Sequence, residues 1–241
     1  MTVNYCEKCG KWRGSSKVCP ECGANCIGKK LSASRGDFYF IEGIDEPLAR
    51  VTRILQSSNK EGLNYWIAKQ AVIAALENPL LSVSQAMAAR FKVRDTAGQK
   101  GTDIHKIIEN IGEGKPNADQ MKIPQIQAYE KWREDMPHKV VEKELRVYSL
   151  EQKYAGTLDA VIETKRKIIL DYKTSKSLHD GYAVQLTAYK HALAEMKGKE
   201  ILDYPMAVLH LKPDATYSFV EVEDKWDVFL AHLTIYNWQN N

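Results

Sequence analysis

The chain has 241 residues, of which 44% are hydrophobic and 27% charged, and its formal net charge is +3. This composition is that of an ordinary globular protein, and it excludes disordered, collagen-like and fibrous classes. The longest apolar runs, such as KIIL and MAVL, are too short to span a membrane, and the first residues lack the apolar stretch of a secretory signal. We therefore expect a cytoplasmic protein with one large domain, or one domain with a small attachment.

The N-terminal segment of residues 1–30 carries the surplus positive charge. It contains six lysine or arginine residues and two acidic residues, whereas the remaining chain is close to neutral. Such a local excess of positive charge weakly indicates that the segment binds a polyanion. Lysines that are simply solvated on the surface of a small domain explain it equally well.

Four of the five cysteines form two C-x-x-C pairs in this segment, Cys6 with Cys9 and Cys19 with Cys22. Two such pairs this close together can place four thiolates tetrahedrally around one zinc ion. So short a segment cannot bury a sufficient core unaided, and the metal would supply the folding energy. We expect a structural zinc ribbon over residues 1–30. An iron–sulfur cluster is the alternative, and disulfides are disfavoured in a reducing compartment.

The middle of the chain has the periodicity of helices, preceded by a short strand or hairpin at residues 37–44. Apolar residues then recur at helical spacing in residues 63–76, 82–91, 101–111 and 124–134. The four isoleucines of the third segment form a core stripe, and His105 lies beside that stripe. Trp66 and Trp132 are predicted core residues, because aromatic residues at helical spacing usually are.

From residue 139 onward the pattern changes to the alternation that is typical of strands. The predicted elements are strands 139–148, 154–162, 167–173, 206–212 and 216–223, with helices 181–194 and 224–238. A small mixed sheet flanked by helices makes this an α/β or α+β fold. The predicted domains are the cysteine module, residues 1–30, and a larger domain, residues 37–241.

The segment YAGTLDAVIETKRKIILDYKTSK contains the most informative charges. A hairpin whose turn is centred on Lys165 places Asp159 directly opposite Asp171, with Lys173 on the same face. Facing carboxylates repel each other, and a divalent cation such as Mg²⁺ removes that cost. Lys173 can then orient an attacking water and stabilise the charge on a phosphate. A surface hairpin with solvated Asp–Lys pairs is the alternative.

The following helix contributes Gln185 and Tyr189, which are four residues apart and share one helix face. This polar pair can contact a phosphate backbone or hold Lys173. A partly exposed glutamine and a core tyrosine are the alternative, which is preferred for either residue taken alone.

Together these residues resemble the RecB-like branch of the PD-(D/E)xK nucleases. The likeness rests on GTLDAVI, IILDYKTSK and VQLTAYKHAL, preceded by a G-x-x-x-H helix motif. It covers about residues 37–235, with five motifs in order. The matching positions are Gly101, His105, Glu144, Asp159, Asp171, Tyr172, Lys173, Gln185 and Tyr189. Residues 38–71 are also similar to the lead-in segment of phage and mitochondrial single-strand exonucleases of this branch.

The upstream glutamate motif of the family matches Glu144 best, although Glu142 lies on the same strand face. A turn centred between Glu151 and Gln152 would place Glu144 opposite Asp159. Relatives that hold an iron–sulfur cluster have most of their cysteines near the end of the domain. No cysteine follows residue 26 in this chain, so that cluster cannot form here, and the cysteine module is a separate attachment.

The resemblance implies a restriction-endonuclease-like core that hydrolyses phosphodiester bonds of DNA with Mg²⁺ or Mn²⁺. The implied metal ligands are His105, Asp159, Asp171 and the Tyr172 carbonyl. Lys173 would position the water and Glu144 would complete the catalytic set. Gln185 and Tyr189 would lie behind the ligands or contact DNA.

The activity we expect is that of an exonuclease on DNA ends or single strands, in phage or mobile-element replication, recombination or repair. The near-neutral charge of residues 31–241 argues against broad duplex binding and favours a narrow channel for one strand. The alternatives are a structure-specific endonuclease and a catalytically silent DNA-binding or scaffold protein of the same fold. The cysteine module would contact DNA or a recombination or replication protein.

Overall fold

The computed structural model describes residues 2–6, 8, 11–12, 17–30, 37–41, 46–57, 61–112 and 114–240. The strands in these ranges are β1 (Thr2–Cys6), β2 (Lys11–Trp12), β3 (Ile27–Lys30), β4 (Phe38–Tyr39), β5 (Leu48–Arg50), β6 (Lys139–Ser149), β7 (Tyr154–Glu163), β8 (Lys167–Lys173), β9 (Met206–Leu211) and β10 (Tyr217–Val222). The helices are α1 (Val51–Ile54), α2 (Glu61–Glu77), α3 (Val83–Ile111), α4 (Pro124–Asp135), α5 (Gly181–Lys197) and α6 (Trp226–Asn240). None of these helices combines the length and apolar character needed to cross a membrane.

The first thirty residues contain a small antiparallel sheet of their own, in the order β2-β1-β3. The central strand β1 pairs with β2 on one edge and with β3 on the other. Between β2 and β3, an isolated bridge joins Val18 to Asn25 and closes the loop that contains Cys19 and Cys22. This arrangement brings the second C-x-x-C pair into a tight turn.

The rest of the strands form one mixed sheet of seven strands, in the order β10-β9-β8-β7-β5-β4, with β6 also paired to β7. The pairs β5–β7 and β8–β9 are parallel, and the other pairs are antiparallel. The fold class predicted from the sequence, a mixed sheet flanked by helices, is therefore confirmed. Residues 42–44 of the expected first strand lie outside the described residues.

Helices cover both faces of this sheet, and each face has its own core. One core combines the sheet with α1, α5 and α6, and includes Ile54 and Phe229. The other combines it with α3 and α4, and includes Trp132 together with Ile104, Ile108 and Ile111 of the predicted isoleucine stripe. Trp66 belongs to neither core, so its assignment to the core is wrong. The reason is that α2 packs mainly against α3 rather than against the sheet.

The prediction of two separate helices at 82–91 and 101–111 is also wrong, because α3 runs without a break from Val83 to Ile111. The intervening residues contain no proline, and their one glycine, Gly98, costs only about 1 kcal/mol in a helix. The helix begins at a capping box in which Ser82 and Gln85 exchange hydrogen bonds. One continuous helix therefore positions His105 beside the sheet.

Candidate active site

The hairpin of β7 and β8 has the register that the sequence predicts. The paired residues run from Ala160–Leu170 to Glu163–Lys167, as a turn centred on Lys165 requires. The ladder ends at the Ala160–Leu170 pair, and Asp159 and Asp171 are the next residues beyond that pair on β7 and β8. There an Asp159 Oδ2 atom accepts a hydrogen bond of 2.7 Å from the backbone N–H of Tyr172. The Asp159 carboxylate thus occupies the place where the two strands stop pairing.

The predicted register of β6 with β7 is likewise observed. The pairs Lys143–Ala160 and Leu145–Leu158 flank Glu144 and Asp159, which therefore face each other. Glu144 has a φ of +45°, a left-handed conformation that costs a non-glycine residue about 1–3 kcal/mol and is concentrated at functional sites.

Glu142, the other candidate for the glutamate motif, forms an ion pair with Lys197 of α5. Its carboxylate is therefore engaged by the lysine, while that of Glu144 lies at the cluster described next.

Three side chains from three elements meet at this point. The imidazole of His105 and the carboxylates of Glu144 and Asp159 place ligand atoms that all lie within 4.8 Å of one another. His105 Nδ1 is 3.6 Å from Asp159 Oδ2. Carboxylate oxygen and imidazole nitrogen atoms gathered this closely are the donors that bind a small divalent cation.

Asp171 lies outside that set and is engaged by Lys173. Its Oδ2 is 2.5 Å from Lys173 Nζ, and only 1% of the residue is exposed. Gln185 Nε2 donates to Asp171 Oδ1 at 3.5 Å and to the Tyr189 hydroxyl at 3.0 Å. Tyr189 is itself buried, so it has no surface to offer DNA and lies behind the carboxylate.

The carboxylates of this cluster outnumber the positively charged side chains near them, and their pKa values are shifted as a result of burial and of neighbouring charges. Burial, with the charges of Asp159 and Glu109, raises the pKa of Glu144 to about 7. Burial also raises the pKa of Asp171 to about 6, with Asp159 adding to the effect and Lys173 opposing it. For Asp159 burial is outweighed by His105 and Lys173, and its pKa is lowered. This donor set fits a divalent cation, which would offset both the burial of Glu144 and Asp171 and the repulsion from Asp159 that raise their pKa values.

Two clefts open on either side of His105 and share Gly101. The first has a volume of about 430 Å³ and is lined by the three clustered side chains together with Glu109, Lys106 and Thr157. The second, of about 480 Å³, is lined by Lys173 and by residues 174–176 that follow β8. The site is thus open to a large ligand from both sides.

Some of these contributors were not among the predicted site residues. Glu109 follows His105 by four residues, so helical spacing was the signal that could have placed it in the cleft. Thr157 accompanies Asp159 by alternation along β7. His210 lies beside Lys173 because β9 pairs in parallel with β8, and no local sequence pattern predicts which residues of these two strands become neighbours.

In the N-terminal module, the Sγ atoms of Cys6, Cys19 and Cys22 lie within 4.8 Å of one another. Those of Cys6 and Cys22 are 3.5 Å apart. Burial raises the pKa of the Cys19 thiol, but hydrogen bonds from Cys22 and its neighbours outweigh it and the pKa is lowered to about 6. The predicted fourth ligand, Cys9, lies outside the described residues. Three thiols this close are typical of a metal site.

No protein-family model matches the chain. A search of curated proteins gives no match either. Solved structures that are similar to it include an alkaline exonuclease from Laribacter hongkongensis, with a TM-score of 0.38 and 10% identity over 80% of this chain and 92% of that one. The structure of the same exonuclease in complex with dAMP gives a TM-score of 0.39 and 11% identity over the same shares. At these values the likeness assigns no function.

Proposed function

We propose that this protein is a divalent-metal-dependent nuclease that hydrolyses phosphodiester bonds of DNA. The observation that carries the proposal is the meeting of His105, Glu144 and Asp159 within 4.8 Å, next to the ion pair of the buried Asp171 with Lys173. Half-buried carboxylates gathered beside an ammonium group, in an open cleft, are suited to a metal ion and an anionic substrate.

Each group has a role in this proposal. Mg²⁺ or Mn²⁺ would be held by His105, Asp159, Asp171 and the Tyr172 carbonyl, with Glu144 close enough to contribute an oxygen. When bound, the metal would polarise a phosphoryl oxygen and lower the pKa of a bound water. Lys173 would orient the attacking water and offset the charge that develops on the phosphate.

The contacts around Asp171 support these roles. Its ion pair with Lys173 fixes the ammonium group, and Asp171 itself is buried while Lys173 reaches the second cleft. Tyr189 anchors Gln185, which in turn donates to Asp171. An aspartate held from two sides keeps one orientation, as a precise catalytic geometry requires.

Within this class we propose an exonuclease that acts on DNA ends or single strands. The near-neutral charge of residues 31–241 supports this choice, because broad duplex binding needs many lysines and arginines. The resemblance of residues 38–71 to single-strand exonucleases supports it as well. A structure-specific endonuclease is the second candidate, and a silent DNA-binding scaffold is the third.

Cleavage of linear and circular single-stranded DNA, with Mg²⁺ or Mn²⁺, tests these candidates. We expect the wild type to degrade only the linear strand, whereas cutting of circles would support the endonuclease. Asp171→Asn and Lys173→Gln should each abolish cleavage while the circular dichroism spectrum is retained. Asp119→Asn, at an exposed aspartate that pairs with Lys122, is the matched control and should cleave normally. Tight binding without cleavage by the wild type would support the scaffold and refute the proposal.

We also propose that the N-terminal module binds one structural zinc ion through Cys6, Cys9, Cys19 and Cys22. Elemental analysis of the purified protein should give about one zinc per chain. Cys6→Ser should lose most of it, and Cys26→Ser is the matched control that should retain it. Iron with sulfide in place of zinc would support the alternative cluster and contradict this assignment.

A further inference from the structure

The second cleft differs in charge from the one that contains the clustered acids. Its lining includes the ammonium-bearing residues Lys173 and Lys176 and the hydroxyl-bearing residues Thr174 and Ser175. No carboxylate is among its described lining residues, whereas the first cleft contains Glu109, Glu144 and Asp159. The two clefts meet at His105. One side of the candidate site is therefore suited to a cation, and the other to an anion.

The segment that forms this basic wall is fixed in place. His210, buried on β9, donates from Nε2 to the carbonyl of Ser175 at 2.6 Å. The Tyr182 hydroxyl donates to Ser175 Oγ at 3.0 Å, and Ser175 Oγ donates to the Ser177 carbonyl at 2.9 Å. Three hydrogen bonds thus hold one residue of the wall. A wall that is ordered before binding loses little entropy when a ligand arrives.

The opposite wall approaches this segment closely at Gly101 of α3. A Cβ atom at that position would lie 3.2 Å from Thr174 Oγ1, tighter than ordinary contact. The absence of a side chain therefore lets α3 and residue 174 come together at the end of the cleft nearest His105. The Lys173 ammonium group lies 4.8 Å from the centre of the Tyr182 ring, a contact that helps to hold it at the wall of the second cleft.

We propose that this second cleft is a binding site for the backbone phosphate next to the one that is cleaved, with the Lys176 ammonium group as its main ligand and the Thr174 hydroxyl as a second donor. The inference rests on the proposed function, because it assigns the direction in which the nucleic-acid strand leaves the metal-binding cleft. Lys173 faces the cleaved phosphate, and Lys176, three residues further along a fixed segment, faces the neighbouring one. Two consecutive phosphates of one strand are thus met by two ammonium groups.

Removing the Lys176 charge is the first test. Lys176→Gln should weaken binding of a single-stranded oligonucleotide about five- to tenfold in fluorescence anisotropy without a divalent ion, the loss expected for one ordinary hydrogen bond at an exposed lysine. The slope of log K against log salt should fall by about 0.7, as for one lost phosphate contact. Lys199→Gln, at an exposed lysine that lines neither cleft, is the matched control and should change neither quantity. Equal effects of the two variants would overturn the proposal.

A substrate that lacks the neighbouring charge is the second test. We would place a neutral methylphosphonate at each position of an oligonucleotide in turn. At one position beside the cleaved bond the wild type should lose about the same factor in kcat/KM as Lys176→Gln does, and the variant should lose nothing further. A small phosphodiester such as bis(p-nitrophenyl) phosphate has no neighbouring phosphate, so wild type and variant should hydrolyse it equally.

The outcomes separate this inference from the proposed function. Cleavage by the wild type with no difference between Lys176→Gln and Lys199→Gln would leave the nuclease assignment standing and remove the phosphate site. Additive losses from the variant and the methylphosphonate would also remove it, because groups in contact should not act independently. Failure of the wild type to cleave any phosphodiester would instead refute the nuclease assignment, while the anisotropy comparison would still decide whether Lys176 binds a strand.

Discussion

Gly156 of β7 provides the sharpest test of how the fold supports the candidate site. A Cβ atom built there would lie 2.3 Å from Cε1 of Tyr189, and 3.0 Å from its Cδ1. Ordinary contact begins near 3.4 Å, so Gly156→Ala forces the ring or the strand to move by about 1 Å. Tyr189 is buried, and the backbone of β7 is held by its pairing with β6. The absence of a side chain at position 156 therefore leaves the space that the Tyr189 ring occupies.

The expected cost follows from two opposing effects. Overpacking a well-packed core costs about 1–3 kcal/mol. Alanine recovers about 0.5–1 kcal/mol of the conformational penalty that glycine carries in a strand. We therefore expect Gly156→Ala to lower the free energy of unfolding by about 1–2 kcal/mol. Cleavage should also fall, because a displaced Tyr189 ring breaks the hydrogen bond that anchors Gln185 beside Asp171.

A double-mutant cycle measured by urea denaturation checks the cause. Tyr189→Leu removes Cε1, the atom nearest to the added Cβ, at the cost of a cavity in the core. In the double variant, Gly156→Ala should then cost at least 1 kcal/mol less than it does in the wild type. Wild-type stability of Gly156→Ala, or strict additivity of the two changes, would refute the close contact between the glycine and the ring.

Three further predictions concern stability. Trp132→Ala should cost about 3–5 kcal/mol in urea denaturation, because the side chain is fully buried between α4 and the sheet, and a loss below 1 kcal/mol would contradict its core role. Burial lowers the pKa of His138, whose Nδ1 donates to the Met136 carbonyl, so its contribution is present above about pH 6.5 and lost as the pH falls below that value. His138→Gln should therefore lose less stability than the wild type between pH 7.5 and pH 5.5, and an identical loss would refute this. Ser82→Ala should cost about 1 kcal/mol through the lost cap of α3, where Gln85 N donates to Ser82 Oγ, whereas Ser84→Ala should be near neutral.

The parts of the site that lie on hairpins were predictable from the sequence. The positions of two turns set the register of β6 with β7 and of β7 with β8, and therefore placed Glu144, Asp159 and Asp171 as neighbours. Hairpin register is local, because the turn fixes which residues face each other. His105 lies on a helix far from these strands in sequence, and only the resemblance to a family indicated that it joins them.

Other features depend on contacts that no local pattern encodes. The contact of His210 with Ser175 follows from the parallel pairing of β8 and β9, which are joined through α5, and such a register is not set by a turn. The left-handed conformation of Glu144 has no sequence signal, since glutamate does not favour it. The continuity of α3 depends on how its end packs against the sheet, which outweighs the propensity of its glycines.

The position of the site follows from a change of partner along one edge of β7. Residues 160–163 pair with β8 on that edge, whereas residues 154–155 pair with β5. Among the described pairs, residues 156–158 have a partner only on the opposite edge, in β6, and none is formed by residue 159. Backbone groups that lose their partner in the sheet need other donors and acceptors. On β8 the N–H of Tyr172 donates instead to the Asp159 carboxylate.

The same gap explains why the charged side chains gather there. Because β8 separates from β7 after the Ala160–Leu170 pair, Asp171 and Lys173 lie beside β9 while Asp159 stays with β6. Side chains from both halves then border one opening instead of packing into a continuous sheet. Changing a side chain in this gap should therefore harm function more than stability. Thr157→Val keeps the shape of a residue in the gap and removes its hydrogen bond of 2.9 Å to the Tyr39 hydroxyl. It should slow cleavage while changing the free energy of unfolding by about 1 kcal/mol or less, and a larger loss of stability with full activity would show that the opening has a structural role only.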